Sequence, residues 1–298
     1  MMSRALSYHH VDVFATRPYT GNSLAVFSEA GGLTTLQMDR ITKELRHFES
    51  IFLEPAEESR AFRARVFDLI EELEFAGHPV IGAACVLHAI HGTQDAERWT
   101  IHLKARSVTI ATERKTPLRY AAVLDQGAAQ FLGAPAASLR PEMAAWFSLD
   151  ENALDPTLPA EVVSTGLRYL ILPVRRDVLA GARIAPKDLE HKLASLGAQY
   201  AYLLDVDALE GRHWNNDGVV EDVATGSGAG CVAAFLRRHQ RIGDGVAATL
   251  RQGRFLGRPS EITIRARGRE TAVHSVEVGG EVSLVGSGRL DQLPEDSA

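Results

Sequence analysis

Apolar positions along the chain fall into short runs with two periods. Tyr8–Phe14 places Val11 and Val13 on one face and predicts a strand, closed by a turn at Pro18 to Asn22. Leu24-Ala25-Val26-Phe27 is a second short apolar run, stopped by Gly31-Gly32. Thr34 then stands where it can cap a helix whose Leu36, Ile41 and Leu45 share a face. Strands are expected again at Ser50–Leu53, ended by Pro55, and at Phe62–Leu69. After Phe75-Ala76-Gly77-His78-Pro79 the period changes, and Val80–Ile90 is apolar on every side. A helix without a polar face belongs in the middle of a domain.

Short β-rich segments continue to about Val123, and a stretch with Pro135, Pro141, Pro156 and Pro159 reads as loop. The second half repeats the theme. Val162–Val174 and Tyr200–Val206 are strand-like, and Asp222–Ser227 leads into the small, apolar Gly228–Leu236. The glycine-led starts at Gly77 and Gly226 are offset by 226 − 77 = 149 residues, half of the 298 in the chain. Two similar domains, each with strands around one buried helix, are the economical reading. The division is placed at residues 1–125 and 126–282, with the segment 283–298 completing the first domain. Val276–Val285, with Gly279-Gly280 inside it, is expected to form a closing hairpin.

Length supports two domains, since 298 residues exceed one ordinary core. Hydrophobic content of 45% and charged content of 23% are those of a globular protein. The net charge of −6 gives no electrostatic reason to expect nucleic acid. The basic run Arg237-Arg238-His239-Gln240-Arg241 reads as cations at a helix C-terminus. Two cysteines, Cys85 and Cys231, cannot build a disulfide framework or a four-thiolate zinc site. No apolar run approaches the roughly 20 residues that cross a bilayer, and no apolar signal region opens the sequence. A cytoplasmic protein without membrane contact is expected.

The candidate chemistry gathers at the two helix starts. A helix N-terminus carries unsatisfied N–H groups and partial positive charge, and glycine lets a ligand approach the backbone. Two such starts, facing each other, would form a slot for a small anionic substrate. Glu49, between Phe48 and Phe52, is a carboxylate in apolar company, where its pKa rises toward that of a proton shuttle. His78 stands at the mouth of the first buried helix, and Asp222 lies five residues before Ser227. Other chemistries fit less well. Gly226-Ser227-Gly228-Ala229-Gly230 has Cys231 where a dinucleotide fingerprint needs its third glycine. His88-Ala-Ile-His91 has helical spacing for two imidazoles but no acidic third ligand, and is expected to be a surface pair. No nucleophile-elbow G-x-S-x-G is present.

Six segments, in order along nearly the whole chain, resemble the phenazine-biosynthesis PhzF-like family. They are Thr20-Gly21-Asn22-Ser23-Leu24-Ala25-Val26, Phe48-Glu49-Ser50-Ile51-Phe52-Leu53, Phe75-Ala76-Gly77-His78-Pro79, Glu221-Asp222-Val223-Ala224-Thr225-Gly226-Ser227, Gln252-Gly253 with Gly257-Arg258-Pro259-Ser260, and Val278-Gly279-Gly280. The resemblance implies the diaminopimelate-epimerase-like α+β fold, two pseudo-symmetric domains with an antiparallel, barrel-like sheet around a central helix in each. It implies an isomerase without cofactor or metal that moves a C–H proton on a small cyclic carboxylate such as trans-2,3-dihydro-3-hydroxyanthranilate. Glu49 would be the acid/base, His78 and Asp222 would assist, and Asn22, Gly77, Gly226 and Ser227 would contact the substrate. A homodimer is implied as well.

The chain departs from the family pattern at Val223, Ser23 and Glu74, where proline is usual, and at Ser50-Ile51, where two threonines are usual. The changes beside Asn22 and Glu49 are expected to reshape the pocket. Related racemases and epimerases set a cysteine before each slot glycine, and here those places hold Ala76 and Thr225. Two-thiol epimerisation is therefore disfavoured. A non-catalytic small-molecule binder is the other alternative, and the cost of keeping Glu49, His78 and Asp222 near apolar surface argues against it.

Overall fold

The computed structural model describes residues 5–269 and 271–296, a mixed α+β structure dominated by sheet. Its contacts gather into two compact units, one comprising residues up to Asp125 together with those from Gly279 onward, the other Gln126–Val278.

The first unit holds β1 (Leu6–Val13), β2 (Asn22–Phe27), α1 (Thr35–Leu45), β3 (Glu49–Pro55), β4 (Ala61–Asp68), β5 (Glu72–Leu73), α2 (Gly77–His91), β6 (Ala96–His102), β7 (Ser107–Thr116) and β8 (Arg119–Gly127). Strands β1, β2, β3, β4, β6, β7 and β8 pair in succession. The chain's last strand, Ala272–Leu290, pairs with both β8 and β1, so the sheet closes into an eight-stranded barrel. Alternation sorts the barrel strands into two faces. Val11, Val13, Leu24 and Ile51 point inward and are fully buried. Ala25, Phe27, Phe52 and Phe67 point outward and bury the face of α1 that carries Met38 and Ile41. Thr34 caps α1 in a reciprocal capping box with Gln37, satisfying two backbone donors at the helix start.

Helix α2 runs inside the barrel, buried from Gly77 to His88. Burying Val80, Ile81, Val86 and Leu87 stabilises the unit by roughly 1.5–3 kcal/mol per side chain. Gly82 sets how closely the helix approaches: a Cβ there would lie 2.5 Å from the Leu24 side chain and 2.9 Å from Val13. The expected closing hairpin is not formed. Gly279 and Gly280 lie within one continuous strand, where a Cβ on Gly279 would meet the Ala122 carbonyl oxygen at 2.3 Å. Glycine serves close backbone approach there, not a turn.

The second unit holds β9 (Gln130–Gly133), α3 (Arg140–Trp146), β10 (Glu161–Ser164), β11 (Arg168–Val174), α4 (Leu189–Ser195), β12 (Tyr200–Asp205), β13 (Glu210–Trp214), β14 (Glu221–Asp222), α5 (Gly226–Arg238), β15 (Ala248–Gln252) and β16 (Ser260–Arg269). Two differences from the sequence reading have local causes. The apolar run Val162–Val174 is a hairpin of β10 and β11, folded at Thr165-Gly166-Leu167. The proline-bearing stretch contains α3, with Pro141 in its first turn where no N–H is needed. Strands β11 and β12 are parallel, as are β13 and β15, and α5 forms the crossover between the latter pair. Gly228 to Leu236 of α5 are buried against β10, β11 and β16. Met143, Trp146, Phe147, Leu170, Leu172 and Leu203 form a further core with α3 and α4. Arg237 and Arg238 occupy the last turn of α5, and Arg238 and His239 both reach Glu161, at 3.3 and 3.0 Å. Among the described residues, no helix is long and apolar enough to cross a membrane.

Candidate active site

In the first unit, Glu49 opens β3 and points to the barrel interior, 7% exposed. His78, 4% exposed, is the second residue of α2, and its Nδ1 lies 3.6 Å from Glu49 Oε2. A carboxylate and an imidazole this close, away from bulk water, feel each other's charge strongly. The Phe48 ring, 6.5 Å from the imidazole, adds an apolar neighbour. Asn22 opens β2, which runs parallel to β3 with Leu24 opposite Glu49, so Asn22 lies on the same inward face two residues away. The preceding loop is tied down by Asp12, whose Oδ2 accepts the Tyr19 N–H at 2.6 Å. Gly77 is the first residue of α2, and the cap position, Ala76, makes no side-chain hydrogen bond to the N–H groups there. Glycine at the helix start lets a ligand approach the backbone there.

In the second unit, Asp222 ends the two-residue strand β14, paired opposite His213 of β13. Its carboxylate is fixed by the turn into α5: Thr225 Oγ1 donates to Oδ2 at 2.6 Å and the Ala224 N–H to Oδ1 at 3.3 Å. Gln252 braces the same turn. Its amide donates to the Asp222 carbonyl at 2.8 Å and accepts from Tyr202 at 2.9 Å. Gly226 and Ser227 begin α5, whose cap residue Thr225 makes no side-chain cap bond. Ser227 Oγ lies 2.8 Å from the Tyr169 hydroxyl. Burial raises the Tyr169 pKa well above its ordinary value, so the phenol keeps its proton. His213 donates from Nδ1 to the Ala201 carbonyl at 2.9 Å, and burial lowers its pKa, opposed by the charge of Asp222.

The first unit thus brings together Glu49, His78, Gly77 and Asn22, and the second brings together Asp222, Gly226 and Ser227. Sequence reasoning missed Tyr169, Gln252's bracing role and His213. Tyr169 and His213 are separated from Ser227 and Asp222 by chain folds that no local pattern reports. The hint available was a polar-tipped aromatic at the start of an otherwise aliphatic strand.

Two expectations need correction. His88 is not part of a surface pair. It is fully buried, with Nδ1 2.8 Å from Thr112 Oγ1 and Nε2 2.9 Å from the Gln94 carbonyl. The helix turns His88 into the barrel wall while His91 stays exposed. Ser23 and Ser50 also sit differently from expectation, on the outward face opposite Asn22 and Glu49. Ser23 Oγ lies 3.0 Å from His10 Nε2 and 2.6 Å from His47 Nδ1. Of the changes near Glu49, Ile51 is the one that faces inward, adding an apolar wall.

Both cysteines are buried, the Cys85 thiol pushed far up in pKa and that of Cys231 to about 11 by desolvation. Native-state treatment with iodoacetamide is expected to add no mass to the folded protein and to leave activity unchanged. Rapid inactivation matched to labelling of one cysteine would contradict this, as intact-mass analysis would show.

Comparison with known proteins decides the family. Residues 11–288 match the family described as phenazine biosynthesis-like protein. The chain belongs to that family. It is 32% identical over 290 residues to the trans-2,3-dihydro-3-hydroxyanthranilate isomerase of Pseudomonas aeruginosa, covering 95% of this chain and 98% of the relative. A solved Pseudomonas aeruginosa structure, described as a predicted epimerase, superposes with a TM-score of 0.90 at 48% identity, covering 96% of this chain and 99% of the other. A PhzF-family protein of Bacillus anthracis shares the fold, with a TM-score of 0.84 at 22% identity over 96% of this chain and 99% of that one. The chain is an isomerase of the PhzF family.

Proposed function

We propose that this isomerase moves a C–H proton on a small cyclic carboxylate such as trans-2,3-dihydro-3-hydroxyanthranilate, without a cofactor, by acid/base catalysis at Glu49. The observation that supports it most directly is the buried pair of Glu49 and His78, 3.6 Å apart on the inner face of the barrel. Glu49 takes the proton from a ring carbon as carboxylate, is briefly the neutral acid, whose proton can exchange with solvent, and delivers a proton to another ring carbon. The net reaction is a shift of one proton and of the double bonds, with no change in oxidation level. His78, beside Glu49, responds to the charge change there as the carboxylate becomes the neutral acid and is restored. Asp222, locked by Thr225 and Ala224, receives donor groups of the substrate, and the N–H groups at Gly77, Gly226 and Ser227 receive its carboxylate or developing oxyanion. Positioning by fixed groups supplies much of such a rate enhancement, since none has to reorganise during the reaction.

The test is turnover and deuterium exchange. In D2O the wild-type protein is expected to convert trans-2,3-dihydro-3-hydroxyanthranilate and to place deuterium on the ring. His78→Ala and Asp222→Ala are each expected to lower kcat/KM by about 10²-fold, the lower end for a positioned proton-transfer group. No conversion by the wild type would reject this substrate. Near-normal rates in both variants would reject the assigned roles.

A further inference from the structure

The polar layer behind the start of α5 contains a group that nothing in the chemistry above uses, the hydroxyl of Tyr169. This residue is 2% exposed, on β11, within an aliphatic strand. An aliphatic side chain or phenylalanine would satisfy the packing. Its ring is wedged between two others, 5.4 Å from Tyr200 and 5.4 Å from His213, the latter edge-on. His213 is itself pinned by its bond to the Ala201 carbonyl. The phenol is thus held in one orientation by its neighbours on β12 and β13, and it ends 2.8 Å from Ser227 Oγ.

Ser227 occupies a singular place. From Ala224 to Leu236 every residue is buried except Ser227, which is partly open to solvent. It is where the interior of this unit presents a hydroxyl to the outside. A serine hydroxyl rotates freely and can donate or accept. Left alone, its proton would point in any of several directions, and a ligand would have to order it at an entropic cost. The phenol removes that freedom. Either hydroxyl could donate across this contact, but a phenolic O–H is the stronger acid of the two and a buried phenol proton without an acceptor is costly, which favours Tyr169 as donor and Ser227 as acceptor. With one lone pair of Oγ taken from behind, the proton of Ser227 is left to point outward.

We propose that Tyr169 is a positioning residue that acts through Ser227, holding its hydroxyl as a donor toward the substrate. This rests on the reading of Ser227 as a substrate-binding group. It extends that reading by assigning the hydroxyl a fixed direction and a residue that sets it. The group Ser227 meets is then an acceptor, a carboxylate or carbonyl oxygen, and not an amine or hydroxyl proton.

A double-mutant cycle tests it. Tyr169→Phe removes one oxygen and keeps the ring, and Ser227→Ala removes the hydroxyl it holds. Urea unfolding of the four proteins reads the pairing without any ligand. The two changes are expected to be coupled by about 2–10-fold in the unfolding constant, the size of one net hydrogen bond. With trans-2,3-dihydro-3-hydroxyanthranilate, Tyr169→Phe is expected to raise KM about 3–10-fold with kcat within 2-fold, and to change nothing further once Ser227 is alanine. Ser227→Thr, which restores a hydroxyl, is expected to remain sensitive to Tyr169→Phe. Additive effects in both cycles, or a Tyr169→Phe protein with wild-type KM, would overturn the proposal. Failure of the wild type to turn over this substrate would instead reject the substrate assignment, and the unfolding cycle would still decide the pairing.

Discussion

Glu49→Gln is expected to give a folded protein that still binds a product-like carboxylate but turns over at least about 10³-fold more slowly and incorporates no deuterium from solvent. The substitution keeps the shape of the side chain and its capacity for hydrogen bonds, and it removes only the ability to accept and return a proton. The position makes the experiment clean. Glu49 begins β3, its backbone is held between β2 and β4, and its side chain reaches the interior beside His78. No strand pairing depends on the carboxylate. Removing a buried charge also removes its desolvation cost, so the melting temperature is expected to stay within a few degrees of wild type or to rise. Glu49→Asp guards against misreading a loss of fit, because it retains a carboxylate drawn back by one methylene and is expected to keep measurable exchange. Full exchange in folded Glu49→Gln would overturn the assignment of Glu49.

The parts of this molecule that were legible in its sequence are those governed by local rules. The period of α1 and its cap at Thr34, the all-apolar α2 and the glycine-led start of α5 follow from spacing and composition, and all three stand in the structure. The segments holding Glu49, His78 and Asp222 were found because each is a short motif, not because the sequence shows what lies beside what. What stayed hidden depends on contacts across the chain. Gly279-Gly280 looks like a turn until the Ala122 carbonyl is seen 2.3 Å from where a Cβ would sit. His88 looks like a surface residue until Thr112 and Gln94 are seen to take both its nitrogens. Ser23 looks like a pocket substitution until strand alternation turns it toward His10 and His47. Tyr169 gives only the hint of a polar-tipped aromatic in an aliphatic strand, since its partner is 58 residues away.

Arg212 extends the same point to stability, and its loss is expected to be strongly destabilising to the second unit. The side chain is 4% exposed, on β13. It makes a two-pronged ion pair with Glu221, Nε to Oε1 at 2.8 Å and Nη2 to Oε2 at 2.5 Å. Its remaining nitrogen donates to the carbonyls of Leu179 and Ala182 at 2.6 and 3.1 Å. The guanidinium carbon lies 4.4 Å from the Trp214 ring and 4.6 Å from the Phe255 ring. Arg212→Met would fill much of the volume but strand the buried Glu221 carboxylate, while the Leu179 and Ala182 carbonyls keep the Ala182 N–H and Arg183 as donors. Breaking such a pair costs roughly 3–5 kcal/mol. For a chain this long that lowers Tm by roughly 6–20 °C. Arg212→Lys would keep the charge and lose the planar fork, and is expected to recover only a small part. Arg212→Met combined with Glu221→Met is expected to be more stable than Arg212→Met alone, because the stranded charge is gone. The effect should also reach the site. Glu221 is the neighbour of Asp222 on β14, so freeing one loosens the other, and kcat/KM of Arg212→Met is expected to fall even below its new Tm. A Tm within 2 °C of wild type would show that the pair contributes little net stability and that packing alone holds β14 in place.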